Sequence, residues 1–243
     1  MNKTIDINCD LGEGAGNDLA VMPYISSCSI ACGGHFGTKA TIQETLRFAQ
    51  DHQVNVGAHP AYPDQENFGR ISMDISLERL RDSLCKQLDL FFSLCSTVNH
   101  IKPHGALYND IFSDQEKATT VINVIKEYTP NGKVYCAPNS VFSLLAKQAG
   151  LTVLFEGFGD RAYTENTQLV SRKISGAVLS DKEKIATQVL EMITQQKVIT
   201  IEGNSIPLNV QTVCMHGDGK NVVEHLHYLS WVLKENRIHV KAL

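Results

Sequence analysis

Hydrophobic and polar positions follow two periods in turn along this chain. Short runs such as TIDINCD (residues 4–10), CSIACGG (28–34) and QVNVGAH (53–59) are β-type segments that end in small and polar residues. Between them lie segments with helical spacing. Residues 76–96 carry Leu77, Leu80, Leu84, Leu88 and Phe91, the three-and-four repeat of a helix with one buried face. A short helix is predicted over 17–27 and a longer one over 38–51, and a loop rich in Pro and Tyr runs on to Arg70. NHIKPHG (99–105) is the next strand, and residues 114–128 form a helix that starts at an acidic cap. KVYCAP (133–138) is a strand, and residues 139–150 are a helix capped by Asn139 and closed by Gly150. LTVLFEGF (151–158) is a strand followed by a long polar loop, a helix over 181–195 and a hairpin over 197–210. QTVCMHG (211–217) is the last predicted strand. Residues 219–236 are the last helix, with Val222, Val223, Leu226, Leu229 and Leu233 inward.

About seven strands alternating with about as many helices imply parallel strands joined by helical crossovers. No GxGxxG follows the first strand, which disfavours a dinucleotide fold. The expected class is α/β: a (β/α) barrel, seven-stranded or an otherwise irregular TIM-like form, built as one domain over residues 1–243. That length suits one such barrel, and a 43% hydrophobic content supplies one large core.

Composition narrows the function. With 22 basic and 26 acidic residues the net charge is -4, which gives no support for nucleic-acid or membrane partners. A strand-like run begins almost at the first residue, so no targeting peptide is expected, and no apolar stretch approaches the ~20 residues of a membrane span. The seven cysteines are scattered and contain no CxxC pair. They are expected to be reduced thiols in a cytoplasmic protein, with a nucleophilic Cys214 as a weaker reading.

Polar residues gather where the strands end: NCDLGEG (8–14), ACGGH (31–35), GAHP (57–60), KPHG (102–105), FEGFGDR (155–161) and CMHGDG (214–219). In barrels of this kind chemistry collects at the C-terminal strand ends, on one face. Four of the nine histidines, His35, His59, His104 and His216, fall there. Any one alone could be a core or loop histidine; their shared location favours a site. Asp10 and Glu13 lie three residues apart across a Gly turn, and neighbouring carboxylates raise each other's pKa, which suits acid–base work. Strand alternation puts Lys102 and His104 on one side, where the lysine can hold a carboxylate or phosphate and the histidine can relay a proton. The HGDG run before the last helix exposes backbone N–H groups to an anion, unless Asp218 only caps that helix. Arg161 and Arg70 each carry a planar fork suited to a carboxylate, or are structural. We assign Asp10, Glu13, His59, Lys102, His104 and Asp218 to catalysis. His35, Arg70, Glu156, Arg161 and His216 are assigned to substrate binding.

These strings, together with GAHPAYPD and ENFGR, KPHGALYN, GDRAY with LVSR and SGA, and TVCMHGDG, closely resemble the LamB/YcsF family, the A component of prokaryotic 5-oxoprolinase. The resemblance runs from residue 6 to about residue 219, in order. It implies a β/α barrel related to glycoside hydrolase and polysaccharide deacetylase barrels. It also implies cleavage of the 5-oxoproline lactam to glutamate coupled to ATP hydrolysis, with Mg, alongside partner subunits B and C. The chain departs from the family's usual ACGFHAGD, having ACGGHFGT: the aromatic follows His35, and Thr38 stands in place of Asp. Ser171 replaces the usual Pro of VPR. No Walker GxxxxGK[ST] occurs, so phosphorylation of the amide oxygen is expected to depend on B and C. Two rival functions stay open. One is a metal-dependent deacetylase or amidohydrolase with Asp10, His35 and His59 as ligands of a divalent ion. The other is a non-catalytic ligand-binding subunit.

Overall fold

The computed structural model describes residues 3–243. Strand β1 (Lys3–Leu11) leads through α1 (Asp18–Val21) and a 3-10 turn (Met22–Tyr24) to β2 (Ser27–Ala31), α2 (Lys39–Asp51) and β3 (Asn55–His59). Then come α3 (Leu77–Phe92), β4 (His100–Ile101), α4 (Gly105–Asp110), α5 (Gln115–Tyr128), β5 (Lys133–Cys136), α6 (Val141–Gln148) and β6 (Thr152–Phe158). The chain ends with α7 (Lys182–Gln195), the hairpin β7 (Lys197–Ile199) and β8 (Ser205–Pro207), β9 (Thr212–His216), α8 (Val222–Glu235) and β10 (Ile238–Val240).

Strands β1, β2, β3, β4, β5, β6 and β9 pair in that order, all parallel, and β9 pairs back onto β1. The result is a closed seven-stranded TIM-like barrel with flanking helices. β10 was not expected. It pairs with Lys3–Ile5 of β1, N-terminal to the Asp6–Asp10 stretch that β9 holds. Among the described residues no helix is long and apolar enough to cross a membrane.

The helices form for the reasons their patterns suggest. In α3, Leu80, Leu84, Leu88 and Phe91 are all buried, a stripe in which each side chain contributes about 1.5–3 kcal/mol. Three boundaries differ from expectation. Asn139 is left-handed (φ 61), and the cap of α6 is Ser140, whose hydroxyl accepts from Ser143 N. The strand at 99–105 shrinks to two residues, because Pro103 has no N–H to donate and α4 starts at Gly105. The short helix expected over 17–27 stops at Val21 and continues only as the 3-10 turn before Ser27 enters β2.

The two faces of β1 explain how the site is positioned. Ile5, Ile7, Cys9 and Leu11 are buried in the apolar layer under the helices. The alternate residues Asp6, Asn8 and Asp10 are also buried. They point into a polar barrel interior. Asp6 at the lower end is fully satisfied: Ser26 and Ser27 donate to Oδ1 (2.6 and 2.7 Å), Tyr135 and Thr212 to Oδ2 (2.9 and 2.6 Å). Asn8 one layer up donates to Glu156 Oε1 (2.9 Å) and Thr212 Oγ1 (2.7 Å). Asp10 heads this ladder at the C-terminal mouth, held by rigid strands rather than by loops.

Candidate active site

Three layers of polar side chains meet at the mouth. The innermost is an ion-paired triad. Lys102 is fully buried, with Nζ 2.7 Å from Asp10 Oδ1, 2.8 Å from Glu156 Oε1 and 3.3 Å from Asn8 Oδ1. Burial alone would lower the lysine, but Asp10, Cys214 and Glu156 outweigh it and raise its pKa well above the usual value. Lys102 therefore stays an ammonium. It is spent on protein carboxylates and is not the free cation that strand alternation suggested.

Four side chains form the second layer. His59 Nε2 lies 2.9 Å from His104 Nδ1 and 3.4 Å from Asp10 Oδ2. His35 Nε2 lies 2.8 Å from Glu13 Oε1, and its ring stacks on His104 at 3.6 Å. The two carboxylates have opposed environments. Burial would raise Asp10, but His59 and Lys102 overcome it and hold the group well below the usual carboxylate range. Glu13 is pushed well above it, by burial first and then by the charges of Asp10 and Asp218. Burial likewise depresses His35 and His104, helped by their neighbouring histidines. Such divergence is characteristic of acid–base sites.

The third layer is the rim. His216 is fixed by Asp160, which accepts from its ring at 2.9 Å and from its backbone N at 3.1 Å. Arg70 pairs with Asp218 and lies over the Phe68 ring at 4.7 Å. Asp218 does not cap α8, whose first turn follows a left-handed Asn221 with no side-chain cap.

These layers border one cavity of about 560 Å³, a size suited to a small ligand. Asp10, His59, Lys102, His104, Glu156, Arg70, Arg161 and His216 line it. Glu13 and His35 are buried beside His104 rather than on the open wall, and Asp218 reaches the cavity only through Arg70. Arg161 departs from its expected role. Its guanidinium donates to Ala177 O (3.2 Å) and Val170 O (2.6 Å), and burial drops its pKa to about 10. It braces the loop that follows β6, and that loop forms one cavity wall.

Sequence reasoning missed Asp160, Tyr108 and Arg172. Asp160 stands inside GDR, where only the arginine drew notice. Tyr108 lies within KPHGALYN, and its buried hydroxyl has no partner. Arg172, the last residue of LVSR, lines the cavity, and among the described residues it forms no ion pair. Two of the three departures from the family pattern, those at Thr38 and Gly34, have structural explanations. Thr38 is exposed and caps α2 in a reciprocal box with Thr41, a cap role that Asp fills equally well. Gly34 leaves room for Gln87, which a Cβ there would meet at 2.3 Å, and Gln87 bridges Ala61 N and O (2.9 and 2.8 Å). Cys214 is buried beside Lys102, and burial pushes its thiol well up, opposite to what a nucleophile needs.

Among the described residues two groups could hold a metal ion: Asp10, His59 and His104, and Glu13, His35 and His104. The trio Asp10, His35 and His59 expected from the sequence is neither of them.

The LamB/YcsF family model matches residues 5–243. A protein of Staphylococcus aureus (strain MRSA252), named as the A component of 5-oxoprolinase, is 37% identical over 98% of this chain and 99% of its own length. The crystal structure of a lactam utilization protein from Thermus thermophilus superposes with a TM-score of 0.91 at 33% identity, covering 99% of this chain and 100% of that one. A family 4 carbohydrate esterase from Streptomyces lividans shares the fold alone, with a TM-score of 0.51 at 10% identity over 98% of this chain and 92% of that one. On sequence over almost its whole length, and with the motif residues gathered at one barrel mouth, this chain belongs to the LamB/YcsF family.

Proposed function

We propose that this chain is the A component of an ATP-dependent 5-oxoprolinase, which opens the lactam of 5-oxoproline to L-glutamate together with subunits B and C. The observation that carries the reading is convergence. Motifs from separate strands bring their carboxylates, imidazoles and ammonium to the closed end of one cavity sized for a small acid. The names of the relatives supply the substrate class.

Within this reading Asp10 is a fixed negative charge, pinned by Lys102 and turned toward His59. Glu13, hydrogen-bonded to His35 and facing His104, acts from behind the cavity wall: it exchanges protons with water and with the departing lactam nitrogen through His104, which lines the cavity. Attack on an unactivated amide is slow; phosphorylating its oxygen with MgATP makes the carbon more electrophilic, so that water adds, the ring C–N bond breaks with the nitrogen leaving as the amine, and a second water hydrolyses the resulting acyl phosphate to glutamate and phosphate. Because the chain has no Walker loop, the nucleotide contacts are assigned wholly or partly to B and C. The isolated chain is therefore expected to release almost no glutamate from 5-oxoproline and ATP, and the three-subunit mixture to release it steadily. A coupled glutamate assay decides, and robust turnover by the single chain sinks the partner requirement.

The substrate carboxylate needs a cation that the protein has not already used. Lys102 and Arg161 are committed, whereas Arg172 lines the cavity and, among the described residues, has no ion pair. Arg172→Met is expected to raise KM for 5-oxoproline roughly tenfold or more with a smaller change in kcat, the pattern of lost uniform binding. An unchanged KM in the reconstituted enzyme would move the carboxylate elsewhere.

A further inference from the structure

His59 and His104 meet with Nε2 of one ring 2.9 Å from Nδ1 of the other. The second nitrogen of each ring lies against a backbone carbonyl: His59 Nδ1 is 2.7 Å from Lys102 O, and His104 Nε2 is 3.0 Å from Phe68 O. A carbonyl oxygen only accepts, so these outer nitrogens carry the ring protons. Two neutral imidazoles have one N–H each, and both are now used. With both rings neutral the inner nitrogens face one another as bare lone pairs, an arrangement that is repulsive unless a proton or a metal cation joins them.

Other lone pairs point to the same place. Asp10 Oδ2 is 3.4 Å from His59 Nε2, and Glu13 Oε1 is 3.3 Å from His104 Nδ1. A tetrahedral ion with bonds of about 2.0–2.1 Å has ligand-to-ligand edges of about 3.3–3.4 Å, which is close to this spacing. The charges present point the same way: three buried carboxylates, Asp10, Glu13 and Glu156, gather at this end of the barrel, while the ammonium of Lys102 is committed to Asp10 and Glu156 and His216 to Asp160. The outer contacts also match those of ligating side chains: each imidazole donates its far N–H to a carbonyl, and Asp10 gives its other oxygen to Lys102.

We propose that Asp10 Oδ2, His59 Nε2 and His104 Nδ1 are ligands of one divalent transition-metal ion, with Glu13 Oε1 beside the fourth position. Two imidazoles and a carboxylate suit zinc and its neighbours better than magnesium. When bound, such an ion supplies a Lewis acid for a carbonyl or phosphoryl oxygen. This inference goes beyond the 5-oxoprolinase reading and does not depend on it, since it rests on lone pairs and charge alone.

The test uses the full chain, purified without a metal-affinity tag. Metal content is measured by mass spectrometry, and chelator-stripped protein is titrated with Zn²⁺, Mn²⁺ and Mg²⁺ by calorimetry. The expected result is about one ion per chain, with Zn²⁺ tighter than Mg²⁺ and raising the melting temperature. His104→Gln and His59→Gln should each weaken Zn²⁺ binding roughly a hundredfold or more, whereas His52→Gln, at an exposed helix end, should leave it unchanged. Circular dichroism checks that each variant is folded. No binding of any of the three ions to folded wild-type protein would overturn the proposal, as would Zn²⁺ affinity that survives in both folded histidine variants. No assay of lactam opening enters, so failure of that activity leaves the metal result standing.

Discussion

Asp10→Asn is expected to lower kcat of the enzyme reconstituted with the proposed subunits B and C by roughly a hundredfold or more, the scale of a lost acid–base or charge-positioning group. The side chain keeps its shape and loses its charge. Among the described residues Asp10 is the only carboxylate that touches both inner groups, with one oxygen 2.7 Å from Lys102 Nζ and the other 3.4 Å from His59 Nε2. The amide leaves His59 with Glu13, 4.0 Å away, as its remaining carboxylate neighbour. A carboxylate at a strand end contributes little to a core on sequence grounds, but the structure adds a stability cost. Asp10 is buried, and Lys102 would keep only Glu156 as a charged partner. Breaking a buried pair costs about 3–5 kcal/mol, and the amide oxygen can still accept from Lys102, which places this variant toward the lower figure. Single-turnover kinetics and thermal melting, measured on the same preparation, separate the two effects. Near-normal kcat at normal melting temperature would mean that the strand ends are not the active site.

The barrel was legible because its signals are local and repeated. Alternating strand and helix periods set the order of elements, and short runs ending in Gly and a titratable residue marked the mouth. Asp10, His59, Lys102 and His104 could be named as neighbours because parallel strands put their C-terminal ends together. What a residue does there was less legible. Nothing along the sequence separates a lysine gripping substrate from one neutralising Asp10 and Glu156, since those partners lie 92 and 54 positions away. Arg161 looked like an anion grip, yet its partners are backbone carbonyls of its own loop, which have no sequence signature. The polar barrel interior was missed for a related reason. Asp6, Tyr135 and Thr212 sit in strands that are apolar on their other face, and only closure of the barrel brings them to one carboxylate. β10 escaped because three residues carry too little pattern to register.

Lys102→Met is the second variant with a large expected effect, and it separates two roles for one residue. If Lys102 held the substrate carboxylate, KM would rise and stability would change little. The geometry favours a different outcome. Nζ lies 2.7 Å from Asp10 and 2.8 Å from Glu156, and the side chain is 1% exposed, so methionine would strand two carboxylates in the barrel. Glu156 already has one buried oxygen without a partner. The expected cost is about 3–5 kcal/mol of folding stability, a large share of the ~5–15 kcal/mol of an ordinary domain. kcat should fall with it, because Asp10 loses the contact that fixes its direction, while KM moves less. Adding Glu156→Gln to Lys102→Met removes one stranded charge, so the double variant should be more stable than Lys102→Met alone. Together with Glu156→Gln by itself, the cycle should give a coupling of about 1 kcal/mol or more between the two sites. Denaturant unfolding of the four proteins measures it. A Lys102→Met protein that melts normally, with only KM raised, would return the lysine to the substrate and leave the carboxylates to be balanced by something else.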